Sequence, residues 1–288
     1  MFTRRSSALA AQALCTAALA TVLASATPAS AQTTVACSES ALSTAIANAN
    51  STGDDTLLLA PGCVYPLTAP LPTITGNLVI DGNHSTITRS SAAHFGILRV
   101  GSGGNLTIHD VALTNGDAPD FGGGIANYGR LTVIRSIIRD NHANFSGGIG
   151  GVSGTTTRIE SSSITGNTAN VNGGGVANDG DMTIVGSRVI GNTAVSGVGG
   201  GAANDGTLQI VRSNVNENRA RRAGGVANVS GGSTTITDTN VNNNTATVAA
   251  PGGVLNTGGT VVLNSSRVRG NQPTNCAGSD IPVPNCVG

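Results

Sequence analysis

The chain contains no tryptophan and no lysine, and only two of its 288 residues are tyrosine and four phenylalanine. Charged residues make up 10% of it, and fifteen arginines balance fifteen acidic residues to a net charge of zero. Such a balance gives no electrostatic footprint for nucleic acid or for an anionic membrane surface. The scarcity of aromatic rings leaves Tyr65 and Tyr128 as the tyrosine platforms for stacking sugars, and the absence of lysine rules out an Arg-x-Lys catalytic pair. No apolar run is long enough to span a bilayer. Low charge with 41 glycines would indicate disorder if the apolar residues were scattered. They recur instead at a fixed period.

Residues 1–31 read as an export leader. Arg4 and Arg5 start it, Ala8 to Ala26 is rich in Ala, Leu and Val, and Ala29-Ser30-Ala31 fits the small-x-small cleavage rule. The chain beyond it is expected to be a secreted, extracellular monomer. Its cysteines fall in two close pairs, Cys37 with Cys63 and Cys276 with Cys286, which export makes two disulfides. A zinc site would need CxxC spacing or partnering histidines, and neither occurs.

Residues 32–70 form an N-terminal cap: Leu42, Ala45, Ile46 and Ala49 share one face of a short helix with Ser38 as N-cap. Residues 71–271 repeat. Aligning Ile108, Val133, Ile159, Ile184, Ile210, Ile236 and Leu263 gives a period of about 26 residues. A second apolar series follows five residues later (Val189, Val215), and a third follows the glycines (Val176, Val226). Three short strand segments per unit of this length predict a right-handed parallel β-helix, a three-sided solenoid whose equivalent positions stack about 4.8 Å apart. A narrow, regular core of aliphatic ladders also accounts for the lack of aromatics. Two asparagine series recur in register. Asn141, Asn167, Asn192, Asn218, Asn244 and Asn271 form one; Asn127, Asn178, Asn204, Asn228 and Asn256 form the other. Both are expected at left-handed corners, bonding from coil to coil, with Asn192→Ala costing about 1–3 kcal/mol. Residues 272–288, with Pro273, Pro282, Pro284 and the second cysteine pair, read as a C-terminal cap that blocks strand addition.

The unit GGGIAN-x-G-x-LTV-xx-S-x-I-xx-N-x-A resembles the repeats of secreted, actinobacterial-type right-handed β-helix proteins. It is also similar to the GGA[ILV]-type repeats of polymorphic outer membrane proteins, with Gly where those usually have Ala. The resemblance covers about residues 35–288 and implies the pectate-lyase-like superfamily, which includes lyases, hydrolases, adhesins and proteins without known activity. The polymorphic outer membrane proteins end in a membrane barrel, for which this chain has no room, so anchoring by that route is not expected. The NTD, paired Asp, GHG and Arg-x-Lys motifs that carbohydrate catalysis on this fold would lead one to expect are missing.

The candidate chemistry is sparse. Asp179 and Asp205 occupy equivalent Asn-Asp-Gly turns, one coil apart, a spacing that suits calcium binding or proton sharing. As turn residues they need no ligand at all. Arg158, Arg188 and Arg212 are the bases a lyase would draw on. Asp117, Asp120 and Asp140 form a looser acidic group. Arg219, Arg221 and Arg222 form the one basic knot, suited to an anionic polymer, while His84, His94, His109 and His142 are dispersed. Thr107, Thr132, Thr183 and Thr235 align, but Arg158, Gln209 and Val262 interrupt the flat row an ice-binding face requires. The reading is therefore a secreted, non-catalytic binding or adhesion protein whose partner is an extracellular polysaccharide or cell-surface component. A polysaccharide lyase or glycoside hydrolase is the alternative. No organic cofactor is expected; calcium at Asp179 and Asp205 is the one metal left open.

Overall fold

The computed structural model describes residues 31–288. The expected leader, with Arg4, Arg5 and Cys15, lies outside the described residues except for Ala31. The chain forms a parallel β-solenoid of about nine coils with a period of about 26 residues. Its three sheets contain seventeen, seven and six strands.

One coil shows the plan. Val176–Asn178 lies in the seven-stranded sheet, Asp181–Val185 and Arg188–Ile190 in the large sheet, and Thr193–Ala194 in the six-stranded sheet. A coil thus has four strand segments rather than the expected three, because the large sheet bends within each coil. The bend sits at a residue in the left-handed region: Arg135 (φ 44°), Ser161 (48°), Gly186 (56°), Arg212 (46°) and Asp238 (50°). Through the regular coils, stacking is in register. Ile159, Ile184, Ile210, Ile236 and Leu263 pair in turn and are buried. Each such side chain contributes about 1.5–3 kcal/mol by leaving water. The paired glycines are required by close approach: a Cβ on Gly174 would come within 2.5 Å of the Gly200 carbonyl oxygen and of Thr193 backbone atoms.

Polar ladders tie the coils together. Asn167 Nδ2 donates to Asn192 Oδ1, and Asn192 Nδ2 to Asn218 Oδ1, both at 3.0 Å. These asparagines are not themselves left-handed. The residue before each one is: Asp140 (φ 55°), Gly166 (65°), Gly191 (67°), Glu217 (58°) and Asn243 (55°). Asn115 (φ 60°) takes that preceding position, so the rung in its coil falls to Gly116, whose N–H donates to Asn141 Oδ1 at 2.8 Å. The second asparagine series is broken. Asn178, Asn204, Asn228 and Asn256 are linked amide to amide, but Gly151 fills the place between Asn127 and Asn178. Asn127 donates to Thr157 Oγ1 and the Thr156 carbonyl instead, and the buried Asn178 Oδ1 has no partner. A third ladder follows the bend: Ser136, Ser162, Ser187, Ser213 and Thr239 each donate a backbone N–H to the next coil's hydroxyl, at 3.1 Å.

The caps share this logic. Here β1 (Ala31–Val35), α1 (Glu39–Thr52), β2 (Asp54–Leu59) and β3 (Val64–Leu67) precede the long strand β4 (Asn77–Arg89). β1 pairs with β2, and β2 and β3 with β4, so the large sheet already runs through residues before 71. Ser38 Oγ accepts the Ala41 N–H at the start of α1, Gly53 ends it at φ 92°, and Leu42, Ala45, Ile46 and Ala49 are its buried face. Tyr65 belongs to this core: its side chain is fully buried and its hydroxyl donates to the Val35 carbonyl at 3.1 Å. It is therefore no sugar platform. The disulfides pair Cys37 with Cys63 and Cys276 with Cys286, at Cα separations of 5.8 and 6.1 Å. At the C-terminal end, Asn275 Oδ1 accepts from both nitrogens of Asn271, at 3.2 and 3.0 Å.

Candidate functional site

The early coils are the least regular, and they form a groove of about 260 Å³ on the outside of the seven-stranded sheet. Its floor comes from the outward positions of the strands Leu98–Val100 and Ile125–Asn127. Its walls are the segments around Pro70 to Thr73, His94 to Gly96 and Ala118 to Gly122. Four features give it chemical character. The Arg99 guanidinium carbon lies 4.2 Å from the Tyr128 ring centroid. Phe121 meets Tyr128 edge to face, with centroids 6.1 Å apart. Asp120 and His94, both exposed, line the same space.

Local sequence explains why these rings gather here. Elsewhere the outward position of this sheet holds a side chain, as at Ala177, Ala203 and Ala227, but in the coil beside Phe121 it holds Gly150. A Cβ on Gly150 would lie 2.3 Å from the Phe121 ring, so the missing side chain is the seat of the phenyl group. Arg99 over Tyr128 is a cation–π contact worth about 0.5–1 kcal/mol at an exposed site. It holds both the ring and the five-donor guanidinium in place without a carboxylate to neutralise the charge. Phe145, paired with Phe121 in the next coil and 42% exposed, extends the apolar surface.

Behind the groove, Asp117 joins two imidazoles. His94 Nδ1 lies 2.6 Å from its Oδ2 and His142 Nδ1 2.7 Å from its Oδ1. Arg89 stands 3.7 Å away. Burial acts to raise the Asp117 carboxyl, but the hydrogen bonds from His142 and His94 outweigh it and hold the group below the usual carboxylate range. A carboxylate on Nδ1 sets the tautomer and leaves the far nitrogen of His94, a largely exposed residue, free at the groove.

The remaining candidates lie apart from this groove. Asp179 and Asp205 do come together: partial desolvation first, then the charge of Asp205, hold the Asp179 carboxyl above its ordinary value. Both residues remain solvent-exposed, so their repulsion is screened. Among the described residues no third His, Cys, Asp or Glu completes a cation site with them. Arg188 sits beyond the strand Asp181–Val185 and the bend, and Arg212 occupies the bend of the following coil. Of the basic knot, Arg219 and Arg221 are exposed. Arg222 is engaged, with Nε on the Ala250 carbonyl, Nη2 on Gly278 and an ion pair to Asp280, so it fastens the C-terminal cap and is not free to grip a polymer. Sequence reasoning missed Phe121, Phe145 and Arg99. The one available signal was Gly150 in a column of alanines.

No protein-family model, no curated protein and no solved structure matches the chain. The fold places it among parallel β-solenoids, and its function rests on its own geometry.

Proposed function

We propose that this is a secreted, non-catalytic β-helix protein that binds an extracellular polysaccharide or cell-surface glycan. The observation that carries this reading is the groove in which Phe121, Tyr128 and Arg99 converge. Pyranose rings lay their C–H faces on aromatic rings, and Arg99 and Asp120 supply a donor and an acceptor for hydroxyl groups. At about 260 Å³ the space suits one ring of a longer chain, with Phe145 and the neighbouring coils extending the contact. Two disulfides agree with an oxidising extracellular setting.

A second reading, a polysaccharide lyase or glycoside hydrolase, draws on Asp179 and Asp205, whose equivalent turns on adjacent coils bring two carboxyl groups together as an acid/base pair would require. Arg188 and Arg212 are the bases such a reaction would recruit. Retardation of the protein in gels containing neutral or acidic polysaccharides tests binding, with Tyr128→Ala and Arg99→Ala as variants. Loss of retardation in both supports the groove; retardation equal to wild type in both refutes it. Incubation of the same polysaccharides, with and without calcium, reports catalysis by new unsaturated or reducing ends. Product formation that disappears in Asp179→Ala and Asp205→Ala would replace the binding reading with the enzymatic one.

A further inference from the structure

The geometry points to a divalent transition-metal site, zinc being the ion that fits best, made by Asp81, His109 and Asp110 on the large sheet. Asp81 and His109 are register partners on adjacent strands, β4 and Asn105–Thr114, so their outward side chains stand side by side. Asp110 comes next in the chain, in the left-handed region at φ 54°.

The separations carry the argument. His109 Nδ1 lies 3.6 Å from Asp81 Oδ1 and 3.4 Å from Asp110 Oδ2, and the three ligand atoms all fall within 4.8 Å of one another. Two ligands of one tetrahedral ion, at bond lengths of about 2.0–2.2 Å, stand about 3.4 Å apart. A good N–H···O bond would instead bring nitrogen to about 2.9 Å. The same molecule provides the contrast, because the imidazoles of His94 and His142 sit 2.6 and 2.7 Å from Asp117. His109 is thus spaced from Asp81 as a fellow ligand without a hydrogen bond between them, and its one hydrogen bond to Asp110 Oδ2, at 3.4 Å, is long and matches the ligand spacing equally well.

Outer contacts hold both carboxylates in place. Asp81 Oδ1 accepts the Asn83 N–H at 3.1 Å. Asp110 takes two hydrogen bonds from Arg135, Nε to Oδ1 at 3.0 Å and Nη2 to Oδ2 at 2.6 Å, leaving further lone pairs on both oxygens. Such supporting donors are the usual second layer around a metal. With side chains 25%, 33% and 21% exposed, His109, Asp81 and Asp110 are open enough for a water in the fourth position. One imidazole and two carboxylates suit zinc better than calcium, which takes six to eight oxygen ligands. Bound there, the ion would clip neighbouring coils close to the N-terminal cap.

The test uses the untagged chain, stripped with a chelator and titrated with zinc chloride by calorimetry and with cobalt(II) by visible absorption. Wild type is expected to bind one equivalent, with the strong visible bands of four-coordinate cobalt. His109→Ala and Asp81→Asn should each weaken binding by more than about 100-fold, beyond the 10–100-fold typical of outer-layer changes. His142→Ala should bind as wild type does. Circular dichroism confirms that each variant is folded, and Asp81→Asn preserves side-chain volume should the alanine variant fail to fold. No uptake by wild type, or uptake retained in either His109→Ala or Asp81→Asn, overturns the site.

Discussion

Asn192→Ala probes the ladders most directly. Asn192 Oδ1 accepts from Asn167 N at 2.9 Å and from Asn167 Nδ2 at 3.0 Å, while its Nδ2 donates to the Ile164 carbonyl and to Asn218 Oδ1, each at 3.0 Å. Truncation removes all four bonds. The losses differ in kind. Asn167 Nδ2 keeps the Ile138 carbonyl, and Asn218 Oδ1 keeps the Asn192 N–H, but the Asn167 N–H is left buried without an acceptor. An orphaned donor costs about 1–3 kcal/mol, and each of the other three bonds about 0.5–1.5 kcal/mol net. These terms add to about 2.5–7.5 kcal/mol, most of it above the range expected from sequence. For a chain of this size that corresponds to a fall in Tm of at least about 5 °C. The assay is thermal unfolding followed by circular dichroism, with Asn214→Ala as control. Asn214 faces outward, is half-buried and makes one 3.2 Å bond to Asn240, so its variant should melt within about 1–2 °C of wild type. If both variants melt alike, the ladder has no special energetic role and the reasoning fails.

Two further predictions follow from local geometry. Gly151→Asn should not repair the broken ladder alone, because a Cβ there meets Thr155 Oγ1 at 3.0 Å. In the coil of Asn228, whose turn has the same length, the place of Thr155 is taken by Gly232. The pair Gly151→Asn with Thr155→Gly should therefore satisfy Asn178 Oδ1 and exceed Thr155→Gly alone by about 1–2 kcal/mol in denaturant unfolding; equal midpoints would refute it. Asp117, held below its ordinary range, contributes stability that is present above the unfolded carboxylate value near 3.9 and is lost as pH falls through its lower folded value. The Tm gap between wild type and Asp117→Asn should accordingly close in acid, and a gap independent of pH would sink the assignment.

The solenoid was legible in sequence because its information is repeated. Ile184 predicts Ile210, and Asn192 predicts Asn218, at one fixed spacing. The Ser136 to Ser266 series has the same periodicity, three residues after each aliphatic anchor, yet was overlooked because serine beside a corner also reads as solvated turn. What could not be read was whatever depends on two different coils departing from the pattern together. Phe121 finds its seat in the absent side chain of Gly150, in the following coil. Asp81 meets His109 at the last pair before the register between β4 and its neighbour shifts, where the spacing departs from the period of the later coils. Four strand segments per coil were counted as three since no glycine is constant at the bend, where Arg135, Ser161, Arg212 and Asp238 adopt the left-handed conformation as Gly186 does.

The asparagine ladder has a direction. Each amide donates toward the C-terminal neighbour and accepts from the N-terminal one, so the dipoles of Asn141, Asn167, Asn192, Asn218, Asn244 and Asn271 add head to tail and polarise one another. A polar column of this kind needs unlike terminators: a donor where it starts and an acceptor where it stops. The Gly116 N–H is the donor, and Asn275 Oδ1 is the acceptor, passing the chain on through its own Nδ2 to the Val287 carbonyl. Coils can therefore be added or removed inside the rod without changing what either end must supply, whereas the two ends cannot be exchanged.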